Sequence, residues 1–207
     1  MINPVANVAA MAAYELADLQ PTLLSLAQNE SAYPCSPLAI EAGRQALQDV
    51  HLYSDPDWLA LREAIGSVHS LPVNQVLCGA GSMEIIASII RTYSQAGDEV
   101  LGTAYGYLFV ATACKQSGST YRQAAEPLLQ VDVDELLANV SDATRIVFVC
   151  NPGNPTGTRI PNAELVRLRD NLPGDVLLVI DQAYAEFDDQ DPSAAFDLIE
   201  RGNTIIT

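Results

Sequence analysis

The run Arg145-Ile146-Val147-Phe148-Val149 leads directly into Cys150-Asn151-Pro152-Gly153-Asn154-Pro155-Thr156-Gly157. β-Branched and aromatic residues in so short a run read as a buried strand. Two prolines and two glycines within six residues then stop that strand in a rigid turn. A buried strand that ends this way presents polar side chains at the carboxyl edge of an α/β sheet, where ligands sit. Asn151 and Asn154 are the groups this turn holds out. A second apolar strand, Val176 to Ile180, runs into Asp181, with Tyr184 three residues on. Two neighbouring strand ends therefore offer an amide, a carboxylate and a phenol to one point.

The rest of the chain alternates in a way that fits such a sheet. Short strands are expected at Gln75–Cys78, Glu99–Thr103, Ser119–Gln123, 145–149, 176–180 and Asn203–Thr207. Helices are expected between them, at Ser82 to about Tyr93, Gly106–Gln116, Val131–Asn139, Pro161–Leu172 and, weakly, 192–200. Six strands alternating with helices imply an α/β fold, a mostly parallel sheet covered on both faces. Before Pro72 the pattern is helical. An Ala-rich helix is expected over 5–19, and Ser36-Pro37 caps and opens a helix to about Asp49. Tyr53-Ser54-Asp55-Pro56-Asp57 repeats the start signal for a helix over 56–69.

Composition narrows the partners. A net charge of −16 over 207 residues argues against nucleic acid or an anionic membrane as a partner, since both need a basic surface. No apolar run approaches a membrane span. Cys35, Cys78, Cys114 and Cys150 have neither zinc nor disulfide spacing, which suits a reducing cytoplasm. His51 and His69 have no metal-like spacing and are read as structural. Nine of the ten basic residues are Arg, and Lys115 is the single lysine. The strand at Thr204 to Thr207 has no covering element after it, and the chain is expected to be cut in mid-domain.

Three sites carry chemistry. Gly79-Ala80-Gly81-Ser82-Met83-Glu84 follows a strand and opens a helix, so its free N–H groups and the Ser82 hydroxyl form either an anion site or a plain tight turn. Neither a dinucleotide fingerprint nor a P-loop is present, and Ser82 lacks a histidine base to make it a nucleophile. Asp181, ending an apolar strand, is costly unless partnered. Its partner is a helix start, an arginine, or a cationic ring nitrogen whose charge keeps the carboxylate ionised. Tyr105-Gly106-Tyr107 serves as core packing or as a ring-stacking platform.

With these residues in place, the Asn151-Pro-Gly-Asn-Pro-Thr-Gly157 and Asp181-Gln-Ala-Tyr184 pair resembles the fold-type-I pyridoxal-phosphate aminotransferases. Within them it is most similar to the histidinol-phosphate aminotransferase group. Asn29-Glu30 with Ser36-Pro37, His51 to Asp57 with Leu61-Arg-Glu63, Gly97-Asp-Glu-Val100 and Asn203 to Ile206 follow in family order. The resemblance implies a three-layer large domain over 51–207, incomplete at its C-terminal end. Residues 1–50 would then be an N-terminal arm and part of a small domain. It implies that pyridoxal 5'-phosphate is the cofactor, with Asp181 on the pyridine nitrogen and Asn154 and Tyr184 on the ring 3-oxygen. Tyr107 would stack on the ring. Ser82 and the N–H groups of Gly81, Ser82 and Met83 would take the phosphate, and Tyr53 would reach the neighbouring subunit's phosphate in a homodimer.

Two features depart from the family pattern. Met83 replaces an Asp or Asn, removing one side-chain ligand, and Gly102-Thr103-Ala104-Tyr105 replaces a proline-containing turn. The family's Schiff-base lysine falls beyond Thr207, and Lys115, on a helix after Tyr107, is not expected to replace it. The strand that joins Gln75–Cys78 to the sheet is also expected beyond Thr207. The activity implied is amino transfer between an amino acid or amino-alcohol phosphate, such as histidinol phosphate, and a 2-oxo acid. The alternatives are decarboxylation of an amino-acid phosphate and a non-catalytic remnant of the fold.

Overall fold

The computed structural model describes residues 2–12, 26–189 and 195–207. Five parallel strands form one sheet in the order β2-β1-β3-β4-β5. They are β1 (Glu99–Thr103), β2 (Thr120–Ala124), β3 (Thr144–Cys150), β4 (Leu177–Asp181) and β5 (Thr204–Ile206). The helices are α1 (Ala6–Ala9), α2 (Pro37–Ala46), α3 (Leu59–His69), α4 (Ser82–Tyr93), α5 (Leu108–Ser117), α6 (Val133–Ala138), α7 (Asn162–Asn171) and α8 (Asp197–Glu200). The helix expected over 5–19 is observed at Ala6–Ala9, and its part from residue 13 on lies outside the described residues.

Side-chain alternation along the strands sorts the core into two halves. Leu101, Val147, Val149, Leu178 and Ile180 face Val133, Leu136, Leu165, Leu168 and Leu198 of α6, α7 and α8. Val100, Ile146, Phe148, Cys150 and Val179 face Ile86, Ile89, Ile90, Val110 and Ala113 of α4 and α5. Each fully buried aliphatic chain contributes about 1.5–3 kcal/mol, and these strands are buried on both faces, which is why they read as continuous apolar runs. Because successive residues alternate faces, Asp181 inherits the face of Val179. The carboxylate therefore points to the side on which α4 begins.

The sixth expected strand does not form. Val73–Gln75 is a 3-10 turn, and from Val76 the chain is extended but pairs with no strand among the described residues. A strand needs a ladder partner for its N–H and C=O groups, and the nearest sheet edge, β5, stands across a groove. That groove has a volume of about 550 Å³ and is lined by Val76, Leu77, Ile85, Ile89, Ile205 and Ile206, among others. Asn203, Ile205 and Thr207 bond to β4, so the backbone groups of Thr204 and Ile206 face the groove.

Two local starts differ from the sequence signals. Pro37 opens α2, but the Ser36 side chain makes no capping bond. α3 starts at Leu59 rather than at 56, because the Asp55 carboxylate accepts from the N–H groups of Asp57 (3.0 Å) and Leu59 (2.8 Å) and winds the intervening residues into a turn. Those two N–H bonds hold the Asp55 pKa below its ordinary value.

Candidate functional site

The turn after β3 is locked from within. Gly153 N–H donates to the Thr158 carbonyl (2.8 Å) and Gly157 N–H to the Gly153 carbonyl (2.9 Å). Gly157 has φ +67°, a region that glycine enters without steric cost. A side chain at Gly153 would lie 2.5 Å from the Thr156 hydroxyl oxygen. Asn151 corrects the sequence expectation that it is held out. It is buried, its amide donating to the Ile160 carbonyl (3.1 Å) and accepting from the Ile160 N–H (2.9 Å). Asn151 thus closes the loop, and Asn154 is left as the outward amide.

Across the sheet, Cys150 is in register with Asp181, and Asn151 N–H donates to the Asp181 carbonyl at 2.9 Å. The two strand ends named from sequence therefore meet. Asn154 Nδ2 lies 3.4 Å from the Tyr184 hydroxyl, which also accepts from Asn29 Nδ2 at 3.0 Å. The Cys150 sulfur sits among them, accepting from the backbone N–H groups of Tyr107 and Asn154. Its thiol faces Asp181 Oδ2 at 3.8 Å. Burial, followed by the Asp181 charge, pushes the Cys150 pKa up to about 12, so the thiol stays protonated and points a weak donor at the carboxylate.

Asp181 is 5% exposed. Its Oδ1 accepts from Ala183 N–H (3.1 Å) and from the Thr207 hydroxyl (3.2 Å), while among the described residues Oδ2 has only the Cys150 thiol. Among the described residues no arginine, lysine or histidine pairs with it, so burial raises its pKa. Of the sequence alternatives, the turn-capping role is present and the arginine partner is not. A buried carboxylate with one oxygen so weakly satisfied fits a cationic N–H donor, the chemistry of a protonated pyridine nitrogen. The Tyr184 hydroxyl, already accepting from two amides, has its proton left to give and fits an anionic oxygen.

The remaining candidates are placed as follows. Tyr107 is half-buried at the start of α5 and packs on the same core half as Cys150. Gly81, with φ +86°, precedes α4, and the turn offers the N–H groups of Ser82 and Met83 at a helix start. The Gly81 N–H, expected from sequence to join them, instead donates to the Gly79 carbonyl at 2.9 Å. Glu84 turns back to accept from Ala80 N–H, taking one N–H of the turn for itself. Ser82 lines the groove beside β5, whereas Asn154 and Tyr184 line a separate cavity of about 570 Å³ under residues 29–33. The two spaces adjoin at the turn after β4, with Gln182 on one and Tyr184 on the other. Tyr53 is fully exposed and touches none of these residues. Lys115 is exposed on α5, away from both spaces. His69 packs edge-on against Phe196 at 5.1 Å, in keeping with a structural role.

Sequence reasoning assigned no role to Asn29, Cys150 or Thr207. Cys150 was detectable in principle, since period-two alternation puts it beside the next strand's terminal acid. Asn29 was not, because its contact spans 155 residues of sequence.

The family model of class I and II aminotransferases matches residues 21–207, a span that holds the strand-end turn, the buried acid and the helix-start loop; this chain belongs to that family. Within it, the chain is 43% identical over 185 residues to histidinol-phosphate aminotransferase of Ruegeria pomeroyi, covering 89% of this chain and 51% of that protein. It is 44% identical to the enzyme of the same name from Paramagnetospirillum magneticum, with the same coverage. The chain thus spans about half the length of the curated relatives it matches. Its fold superposes with a TM-score of 0.80 and 28% identity on histidinol-phosphate aminotransferase from Sinorhizobium meliloti in complex with pyridoxal-5'-phosphate, covering 86% of this chain and 49% of that one. N-succinyldiaminopimelate aminotransferase from Mycobacterium tuberculosis, at 22% identity and a TM-score of 0.74, shares the fold.

Proposed function

We propose that this chain is the greater part of the cofactor-binding domain of a pyridoxal-phosphate-dependent aminotransferase, acting on an amino-alcohol phosphate such as histidinol phosphate with a 2-oxo acid as the acceptor. The observation that carries it is Asp181, buried at the end of β4 without a cationic partner among the described residues, one bonded strand from the turn that holds Asn154. In support of the substrate, the relatives at over 40% identity carry the name histidinol-phosphate aminotransferase. None of those names favours the decarboxylase alternative.

Asp181 holds the ring nitrogen in its protonated form, and Asn154 and Tyr184 hold the 3-oxygen. Tyr107 covers the ring face. Ser82, through its hydroxyl and N–H, and the Met83 N–H neutralise the phosphate. When bound, pyridoxal phosphate supplies the electron sink that stabilises negative charge at the amino acid's α-carbon. The protein's share is orientation and fixed electrostatics. Residues 51–207 form the bulk of this domain, and residues 1–50 an N-terminal arm and part of a small domain. A homodimer, in a cytoplasmic setting, brings Tyr53 of a second copy to the phosphate.

Titration of the chain with pyridoxal 5'-phosphate, followed by borohydride, tests the assignment. Saturable one-to-one binding is expected, weakened at least tenfold by Asp181→Ala and unchanged by Lys115→Ala. Even after borohydride the cofactor is expected to dialyse away. Stoichiometric covalent attachment at Lys115, or binding indifferent to Asp181→Ala, would contradict it.

A further inference from the structure

Resting on the assignment of Tyr184 to the ring oxygen, we propose that Asn29 is a positioning residue for that oxygen. It reaches from the N-terminal loop to fix the direction in which Tyr184 donates its proton.

A phenol oxygen accepts two hydrogen bonds and donates one. At Tyr184 the two acceptor positions are filled by amide N–H groups, Asn29 Nδ2 at 3.0 Å and Asn154 Nδ2 at 3.4 Å. With both donors in place, the hydroxyl proton has no acceptor on either amide and is directed to a third partner. An anionic oxygen is the partner such a proton favours most. Asn154 alone leaves one acceptor position open and the hydroxyl free to rotate. Asn29 removes that freedom before any ligand arrives, which is preorganisation.

Asn29 is also well chosen as a backbone residue. Its φ of +52° is in the left-handed region, which Asn and Asp enter more readily than other side chains. Asn29→Asp therefore keeps shape and backbone while replacing the N–H donor by an acceptor. The Tyr184 proton is then drawn to residue 29 and away from the ligand. The loop that carries Asn29 lines the 570 Å³ cavity opposite Gly153, Asn154 and Pro155, so the contact ties that loop to the strand-end turn.

The test uses the chain, its Asn29→Asp, Asn29→Ala and Tyr184→Phe variants, and two probes, pyridoxal 5'-phosphate and its 3-deoxy analogue. Dissociation constants are read from difference absorbance at equilibrium. Asn29→Asp is expected to weaken pyridoxal phosphate about tenfold and Asn29→Ala about threefold, roughly one lost hydrogen bond in each case. The 3-deoxy analogue, with no ring oxygen, is expected to bind all four proteins alike. If Tyr184→Phe weakens pyridoxal phosphate but Asn29→Asp does not, the role given to Asn29 is wrong and the cofactor assignment stands. The role is also overturned if Asn29→Asp weakens both probes equally, since Asn29 then only holds the loop. Absence of saturable binding, or indifference to Tyr184→Phe, overturns the cofactor assignment and the role of Asn29 with it.

Discussion

Asp181 shows how a single carboxylate is poised by what surrounds it. Burial raises its pKa above the ordinary carboxylate value of 3.8, against the opposing pull of Ala183 N–H, the Thr207 hydroxyl and the Cys150 thiol. With the folded-state pKa raised, the folded chain binds more protons than the unfolded one between 3.8 and the raised value. Folding stability contributed by this residue therefore falls as pH rises through that window, and the deficit is complete above it. Asp181→Asn is expected to be more stable than the parent in urea at pH 7, by roughly 1 kcal/mol or more, with the difference shrinking as pH is lowered toward the ordinary value. A difference that grows on acidification would mean that Asp181 is stabilised by a charge partner. The same residue was legible in the sequence because a strand of Val, Leu and Ile is a conspicuous place for an acid. Its pairing with the Cys150 thiol was detectable only by aligning the two strand ends, since a thiol in an apolar run otherwise reads as one more small hydrophobe. Asn151 and Asn154 show the limit most sharply. They are three residues apart in one motif, and only the folded loop shows one bonding inward to Ile160 and the other facing Tyr184.

At the scale of elements, the strands at 99–103, 145–149 and 176–180 could be read because burial on both faces writes itself into composition. The stretch at Gln75–Cys78 carries the same local signal and forms no strand, because strand formation depends on a partner that local sequence does not specify. The loop before β4 depends on a residue that no periodicity reveals. Arg169, at the end of α7 and buried, donates to the carbonyls of Val176 (2.8 Å), Asn203 (3.0 Å), Leu172 (3.3 Å) and Pro173 (3.0 Å). It joins the α7 C-terminus, the β4 approach and the start of β5 through backbone oxygens alone. Burial lowers its pKa from the usual arginine value, but not enough to discharge it. Arg169→Met would leave those carbonyls without donors. The expected loss is about 2–4 kcal/mol in urea unfolding. Arg169→Lys recovers only part of it, because an ammonium cannot span the fork. A loss below about 0.5 kcal/mol would show that water replaces the guanidinium.

For the whole molecule, the sheet is the frame and the chemistry is collected along its carboxyl edge. Parallel order places the ends of β3 and β4 side by side, and the alternation of side chains turns Asp181 toward the face where α4 begins. The β3 turn and the β4 acid thus meet through topology, although they are separated by about thirty residues of sequence. No helix among the described residues is long and apolar enough to cross a membrane. The proposed function requires the fold as a whole to hold an aromatic cation by opposite edges, carboxylate at the nitrogen and amide with phenol at the oxygen. The nitrogen-15 chemical shift of pyridine-labelled pyridoxal 5'-phosphate bound to the chain at pH 8 tests that directly. A shift in the protonated range is expected for the parent and in the neutral range for Asp181→Asn. A neutral nitrogen in the parent, or a protonated one that survives Asp181→Asn, would contradict it.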